Sequence, residues 1–287
     1  MFVGTVMRAE PARATEAETL FAHANYMFLR AWLANLDECA RSGLLFAASH
    51  RGQIRAALAC SPQNPDVFNL CGAAFSHEVD LDAFLVPLIQ TAMRSLRETG
   101  ASLLTYVGTE DWLVSRLVRA GFALEESVVT LLKSGGEIPG QPGSQAIQVR
   151  KAEESDLQAV MRLDREAFPA EWHYGKGTLA RALRAAHVFL VACDETIIGY
   201  AYGDIAGGSA HLTRLAISPN RQGRGVGTAL LSEAISQFHQ HGAWCITVNT
   251  QRSNWMSQRL YQRFGFQSVG QSVPLLVLRL AGEGQQR

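Results

Sequence analysis

The sequence predicts an α/β fold class, an α+β mixed sheet flanked by helices and built twice in tandem. Three observations lead there. Strand-patterned and helix-patterned segments alternate through all 287 residues. The same order of segments recurs at an offset of roughly 143 residues. Between the two copies lies Ser134 to Gln145, SGGEIPGQPGSQ, which has no apolar period and is dense in Gly and Pro, as a linker is. The expected division is residues 1–133, a linker at 134–146, and residues 147–287.

Each copy reads β-α-β-β-β-α-β-α-β. Met7 to Glu10 and Val149 to Glu153 each lead into a helical stretch. Leu45 to Ala48, a polar turn and Ile54 to Leu58 form a hairpin pattern, matched by Val188 to Val191, a turn at Asp194 to Thr196, and Ile197 to Ala201. The next strands are Val67 to Phe75 and His211 to Ile217. In the second of these, Leu212, Leu215 and Ile217 are apolar, and strand parity places His211 on one face with Thr213 and Leu215. Pro219 and Asn220 end it, because Pro cannot donate to a ladder. Helices follow from Asp80 and from Val226, the latter with Leu230, Ala234 and Phe238 every four residues and Leu231 and Ile235 beside them. Strands at Ala101 to Thr105 and Ala243 to Thr250 come next. Their helices end in Arg119-Ala120-Gly121-Phe122 and Arg263-Phe264-Gly265-Phe266, and β-rich runs at Ser127 to Leu132 and Val273 to Leu278 close the copies.

Composition narrows the function. Lys plus Arg number 26 and Asp plus Glu 26, so nothing global recommends a nucleic acid or a membrane surface as partner. No apolar run approaches the ~20 residues of a membrane span, and the N-terminal stretch lacks the form of a signal peptide. Cys39, Cys60, Cys71, Cys193 and Cys245 are odd in number and include no C-x-x-C, which fits small core residues in a reducing, cytoplasmic setting. No metal is expected: His239 and His241 sit at a helix end and read as solvated. Nothing in the sequence sets an oligomeric state.

The chemistry concentrates between strand His211 to Ile217 and the helix from Val226. A helix whose first turn is Gly-rich aims free backbone N–H groups at one point, where the helix dipole also favours an anion. Arg221 and Arg224 add positive charge there, so the expected ligand group is a phosphate or pyrophosphate. The stretch lacks the Lys-Ser/Thr of a P-loop and the G-x-G-x-x-G spacing of a dinucleotide site. It does carry Q-x-x-G-x-G at Gln222, Gly225 and Gly227. One strand and one helix later, N-x-x-S-x-x-L-Y-x-x-x-G-F occurs at Asn254, Ser257, Leu260, Tyr261, Gly265 and Phe266.

On these two motifs the chain resembles the GNAT N-acetyltransferase superfamily, as a tandem form whose acetyl-CoA motifs lie in the second copy alone. The resemblance implies acetyl-CoA as co-substrate, with Gln222, Gly223, Arg224, Gly225, Val226, Gly227 and Thr228 around its pyrophosphate. It implies that Leu215, Ala216 and Ile217 pair with the pantetheine and lend an N–H to the developing oxyanion, with Asn254 near the pantetheine. Tyr261 would protonate the leaving thiolate; the plainer alternative is a core aromatic. His211 stands where some branches keep a general base, and a strand histidine that only lines the site is an equal alternative. Asn249 holds the place of a glutamate in the ribosomal-protein N-terminal acetyltransferase branch and cannot act as a base. It remains a candidate substrate contact. The loop Phe168 to Tyr174 lies where the family builds its acceptor pocket, making Glu171, Trp172 and Tyr174 candidates, or else it packs against the first domain.

In the first copy the matching stretch is SHEV, without glycine, and the acids Glu78 and Asp80 suit helix capping but repel a pyrophosphate. Leu117 replaces the tyrosine. That copy is expected to have lost cofactor binding and to shape the substrate site or add stability. The expected function is transfer of the acetyl group of acetyl-CoA to a primary amine, on a small molecule or a peptide N-terminus, by direct attack in a ternary complex. A non-catalytic CoA-binding sensor or interaction protein, and an acyltransferase using a longer acyl-CoA, are the alternatives.

Overall fold

Helices and strands alternate in the computed structural model much as the patterns require, with additions at the front of each copy. The structure describes residues 5–8, 14–30, 35–50, 52–77, 79–135 and 147–280. The first copy runs β1 (Thr5–Arg8), α1 (Ala14–His23), β2 (Tyr26–Leu29), α2 (Leu36–Arg41), β3 (Leu45–His50), β4 (Gln53–Pro62), β5 (Val67–Phe75), α3 (Leu81–Glu98), β6 (Leu103–Val107), α4 (Asp111–Arg119) and β7 (Ala123–Ser134). The second runs β8 (Gln148–Lys151), α5 (Leu157–Ala167), α6 (Lys176–Ala185), β9 (Val188–Cys193), β10 (Ile197–Ala206), β11 (Ser209–Ile217), α7 (Val226–Gln240), β12 (Cys245–Gln251), α8 (Trp255–Arg263) and β13 (Gln267–Arg279). The expected order lacked the second helix of each copy, α2 and α6, and the short strand β2.

The division of the chain also differs from the expected one. One unit comprises Met1–Glu125 with Pro274–Arg287, and the other Glu126–Val273. Strand β7 leaves the first copy and pairs antiparallel with β12, from Cys245↔Ser134 to Gln251↔Val128. Strand β13 ends in the other unit, pairing antiparallel with β6 from Leu275↔Val107 to Arg279↔Leu103. Boundaries at 133 and 147 are therefore corrected to 125/126 and 273/274. A Gly/Pro-rich stretch marks where the chain is irregular; it does not say which sheet the strand before it joins. Most of that stretch, residues 136–146, lies outside the described residues, as does Glu78.

In the first unit the strand order is β1-β3-β4-β5-β6-β13. Strands β5 and β6 are parallel, as the helical crossover α3 allows. In the second unit the order is β7-β12-β11-β10-β9-β8, with β11 and β12 parallel across α7. Helices α7 and α8 pack on one face of that sheet: Leu190, Leu212, Leu230, Ile235, Phe238 and Phe264 share one core cluster. Helices α5 and α6 cover the other, with Val160, Leu163, Leu179, Phe189, Val191 and Tyr200. No helix of the described residues is long and apolar enough to cross a membrane.

A bulge revises the parity of β11. Tyr202 pairs with Arg214 and the next residue, Gly203, with Leu212, so Thr213 has no partner on β10. One extra residue turns the rest of a strand over. Ala210 and Leu212 accordingly face α7, whereas Ala216 joins the cluster under α5 and α6, and Leu215 and Ile217 pack on the α7 side. His211 is thus on the opposite face from Leu215, contrary to simple alternation. The bulge recurs in the first unit, where Ala59 pairs with Gly72 and Cys60 with Leu70, leaving Cys71 over. It belongs to the architecture of both copies.

Candidate active site

Pairing between β11 and β12 stops at Leu212↔Val248, immediately before the bulge, while β11 stays paired with β10 through Ile217. From Thr213 to Ile217 the β12-facing edge of β11 has no strand partner among the described residues. Such an edge is a row of backbone donors and acceptors ready for an extended ligand. The first unit opens in the same place, since β5 and β6 pair only from Val67↔Leu103 to Asn69↔Thr105. There, however, β2 lies along the vacated edge, pairing Leu29↔Gly72 to Tyr26↔Phe75. The slot that stays open in the second unit is closed in the first by a strand of the chain itself.

At the end of the open edge a 3-10 turn, Pro219–Arg221, leads into α7. Its N-cap is Gly225, with φ 84° and no side-chain cap hydrogen bond. That left-handed conformation strains any residue with a Cβ, and the uncapped first turn leaves its N–H groups for a ligand. Gly227 is held closely: a Cβ there would lie 3.1 Å from Leu260 Cδ2 and 3.3 Å from Ile217 Cδ1. In the first unit the matching helix α3 is capped by Asp80, whose carboxylate takes the N–H groups of Asp82 at 2.9 Å and Ala83 at 3.2 Å. The donors free in one copy are consumed in the other.

A cavity of about 560 Å³ joins the edge to the helix terminus. Of the expected cofactor residues, Leu215, Ala216, Ile217, Gln222, Gly223, Gly225, Gly227, Thr228 and Asn254 line it. Arg224 and Val226 do not. Val226, the first residue of α7, is buried in the core, and Arg224 borders a neighbouring cavity together with Arg162 and Arg221. Arg221 also pairs with Asp194 at 2.7 Å. Asn254 is the N-cap of α8, accepting from the N–H of Ser257 at 3.1 Å, so it both shapes the helix end and faces the cavity. The sequence pattern passed over Trp255, Met256, Arg259 and Arg263, which line the α8 side. Their signal was their place on the helix that Asn254 caps.

Tyr261 does not line this cavity. It is 4% exposed, with its ring 5.6 Å from that of Phe266, and its hydroxyl has no hydrogen-bond partner among the described residues. Burial pushes its phenol well above the ordinary range, so it stays a neutral donor. His211 is half-buried, and its Nδ1 lies 2.8 Å from Thr247 Oγ1. Thr247 spends its only proton on Ala210 O, at 3.2 Å. The histidine must then donate through Nδ1, leaving Nε2 as the basic atom. Burial lowers its pKa below 6.5, against the opposing charge of Asp204. The corresponding bond in the first unit, Thr105 Oγ1 to Asn69 Oδ1 at 2.7 Å, shows a cross-strand pair at this point in both copies.

Glu171, Trp172, Tyr174 and Asn249 lie outside the cavity lining; Phe168, from the same loop as the first three, lines it. Asn249 accepts from Thr130 Oγ1 on β7 at 2.9 Å. What fixes the loop is a buried ion pair that the sequence reading missed. Arg214 and Asp164 are 7% and 0% exposed and meet at 2.7 Å. Arg214 also donates to Trp172 O at 2.7 Å and stacks 3.5 Å from the centroid of Phe168 and 4.1 Å from that of Tyr174. Asp164 accepts the Tyr174 N–H at 2.8 Å and the hydroxyl of Tyr200. The loop is thereby bound to the strand that carries the open edge. His239 and His241 point their Nδ1 atoms at Ala243 O and Gln237 O, both at 2.7 Å. No group of three or more His, Cys, Asp or Glu among the described residues could hold a metal ion.

A strand edge opened by a bulge and an uncapped helix terminus thus line one cavity on a mixed sheet. Residues 157–266 match the Acetyltransferase (GNAT) family, and this part of the chain is a GNAT acetyltransferase domain. Over 120 residues the chain is 28% identical to an uncharacterized N-acetyltransferase of Methanocaldococcus jannaschii, covering 41% of this chain and 76% of that protein. It is 26% identical over 121 residues to the ribosomal protein bS18-alanine N-acetyltransferase of Haemophilus influenzae, covering 42% of this chain and 82% of that one. In fold the likeness extends to both copies. A GCN5-related N-acetyltransferase from Sphaerobacter thermophilus superposes with TM-score 0.64 at 15% identity, covering 97% of this chain and 96% of that one. A tandem GNAT protein from the clavulanic acid biosynthesis pathway does so with TM-score 0.61 at 11% identity, covering 97% and 99%. The first copy is a second GNAT-like fold.

Proposed function

We propose that this chain transfers the acetyl group of acetyl-CoA to a primary amine, of a small molecule or a peptide N-terminus, within a ternary complex. One observation carries the reading: the free edge of β11 and the uncapped N-terminus of α7 open into one cavity. Free N–H groups at the helix suit a pyrophosphate, and the edge from Thr213 to Ile217 suits a chain bearing amides. Bound there, acetyl-CoA supplies an activated thioester whose carbonyl oxygen gains charge as an amine attacks. A main-chain N–H within Leu215-Ala216-Ile217 is fixed to meet that charge. Tyr261, neutral and without a competing partner, is the proton donor for the thiolate. His211, on the face covered by α5 and α6, is the base that strips the amine, through Nε2. Glu171, Trp172, Tyr174 and Asn249 are the residues assigned to acceptor contact in this reading. The bS18-alanine acetyltransferase among the relatives supports a peptide N-terminus as one acceptor.

Titration calorimetry with acetyl-CoA tests this. One site per chain is expected, because β2 and Asp80 close the first copy. Gly225→Glu is expected to abolish it, by placing a carboxylate and a strained residue at the anion site. Two sites, or an unaffected variant, would overturn the assignment; no binding by the parent chain would remove the transferase reading. Once an amine panel yields an acceptor, Tyr261→Phe is expected to lower kcat by about 10²-fold or more with acetyl-CoA affinity nearly unchanged. Equal losses in both would mean that Tyr261 serves packing. Tight binding without transfer to any amine would favour a CoA sensor.

A further inference from the structure

Strand β7 reaches the second unit at Glu126, beside the turn between β12 and α8. One carboxylate oxygen of Glu126 takes the Ser127 N–H at 2.7 Å, and the other takes the hydroxyl of Ser253. Ser127 O receives the N–H of Arg252 at 2.7 Å. From the other side Gln258 Nε2 holds Gln251 O at 3.1 Å and Arg252 O at 2.8 Å. The turn is therefore clamped between a strand from the first copy and the first turns of α8. Its next residue is Asn254, the N-cap, and Asn254 through Ser257 form a wall of the cavity. Ser253 is the last link before that wall.

Burial works against the charge on Glu126, yet the Ser253 hydroxyl, the neighbouring N–H groups and Arg252 together hold its carboxyl below the usual range. A hydroxyl bound by an ionised acceptor is held more firmly than one shared with water. We propose that Glu126 is a positioning residue of the ligand site: its carboxylate fixes Ser253, and so sets the Asn254 end of α8 where acetyl-CoA is gripped. The strand that sequence order gives to the end of the first copy then contributes to ligand affinity in the second unit. This inference rests on the reading of the cavity as an acetyl-CoA site.

The test is calorimetry of acetyl-CoA on the 287-residue chain. Glu126→Ala and Ser253→Ala are each expected to weaken binding about tenfold, the loss of one charge-assisted hydrogen bond. The double variant is expected to bind no more weakly than either single one, because both remove the same bond. Glu126→Gln, which keeps an acceptor, is expected to recover most of the affinity. Glu125→Gln serves as the control, since Glu125 and its partner Arg279 both belong to the first unit. Unchanged affinity in Glu126→Ala, or losses that multiply to about a hundredfold in the double variant, would overturn the role. Should Glu126→Ala fold poorly, Ser253→Ala alone decides, as it breaks the bond from the exposed side. A parent chain that takes no acetyl-CoA overturns the reading of the cavity and this role with it. A parent chain that binds, beside an indifferent Glu126→Ala, overturns this role alone.

Discussion

Residues 147–287 expressed alone are expected to give no cooperatively folded domain and no acetyl-CoA binding, whereas residues 126–273 fold and bind. The shorter cut follows the linker and looks natural in sequence. It removes β7, however, and with it all seven registered pairs to β12. Leu131, 2% exposed inside the cluster with α7 and α8, would leave a hole there. A vacated edge beside an apolar face invites pairing with another chain. At the other end Leu275, Leu276, Val277 and Leu278, each below 7% exposed in the full chain, would lose β6 and add a second sticky edge. The 126–273 fragment avoids both faults, since it holds every strand of the second unit. Circular dichroism melting and calorimetry of the two fragments decide the matter. A 147–287 fragment that melts cooperatively and binds ligand would show that the exchanged strand is dispensable.

Asp164→Ala is expected to destabilise the second unit by about 3–5 kcal/mol, more than any single surface change in it. The substitution leaves the Arg214 guanidinium buried without its carboxylate. Tyr200 and the N–H of Tyr174 lose their acceptor at the same time. The double variant Asp164→Ala/Arg214→Met removes the stranded charge and is expected to recover a large part of the loss, as apolar replacement of a buried pair usually does. It does not restore the hold on Trp172 O, so the aromatic loop stays loose even where stability returns. Urea unfolding of parent, single and double variants measures these differences. A loss under about 1 kcal/mol for Asp164→Ala would mean that water reaches the site and screens the charge.

Local signals carried much of the fold. The apolar period begins at Val226, and so does α7, because an uncapped glycine turn followed by a four-residue repeat leaves a helix few other places to start. The repeat was legible because both copies keep the same hairpin and crossover. The rest depends on partners rather than on composition. Tyr26–Leu29 is only four residues long and becomes a strand because β5 offers it an edge. The bulge at Thr213 is a property of register, which alternation along one strand cannot reveal, and it moves His211 to the face opposite Leu215. Arg214 and Asp164 stand 50 residues apart in the chain, and nothing nearby announces that one will neutralise the other. Among the candidate site residues, those near the glycine turn were readable because backbone geometry dictates residue type there. Tyr261 and Arg224 show the limit: the motif fixes their position in sequence, while packing decides which surface they meet.

The exchange of β7 and β13 sets an order of assembly during synthesis. A chain made from the N-terminus usually completes its first domain first. Here the edge strand of the second unit is already made before β8 emerges, so that unit is complete once Val273 has been added. The first unit must wait for Leu275 to Arg279, in the last strand of the described residues. Until then β6 lacks its β13 partner on the unit that was begun earlier. Of the two units, the one begun earlier is the one that finishes folding later.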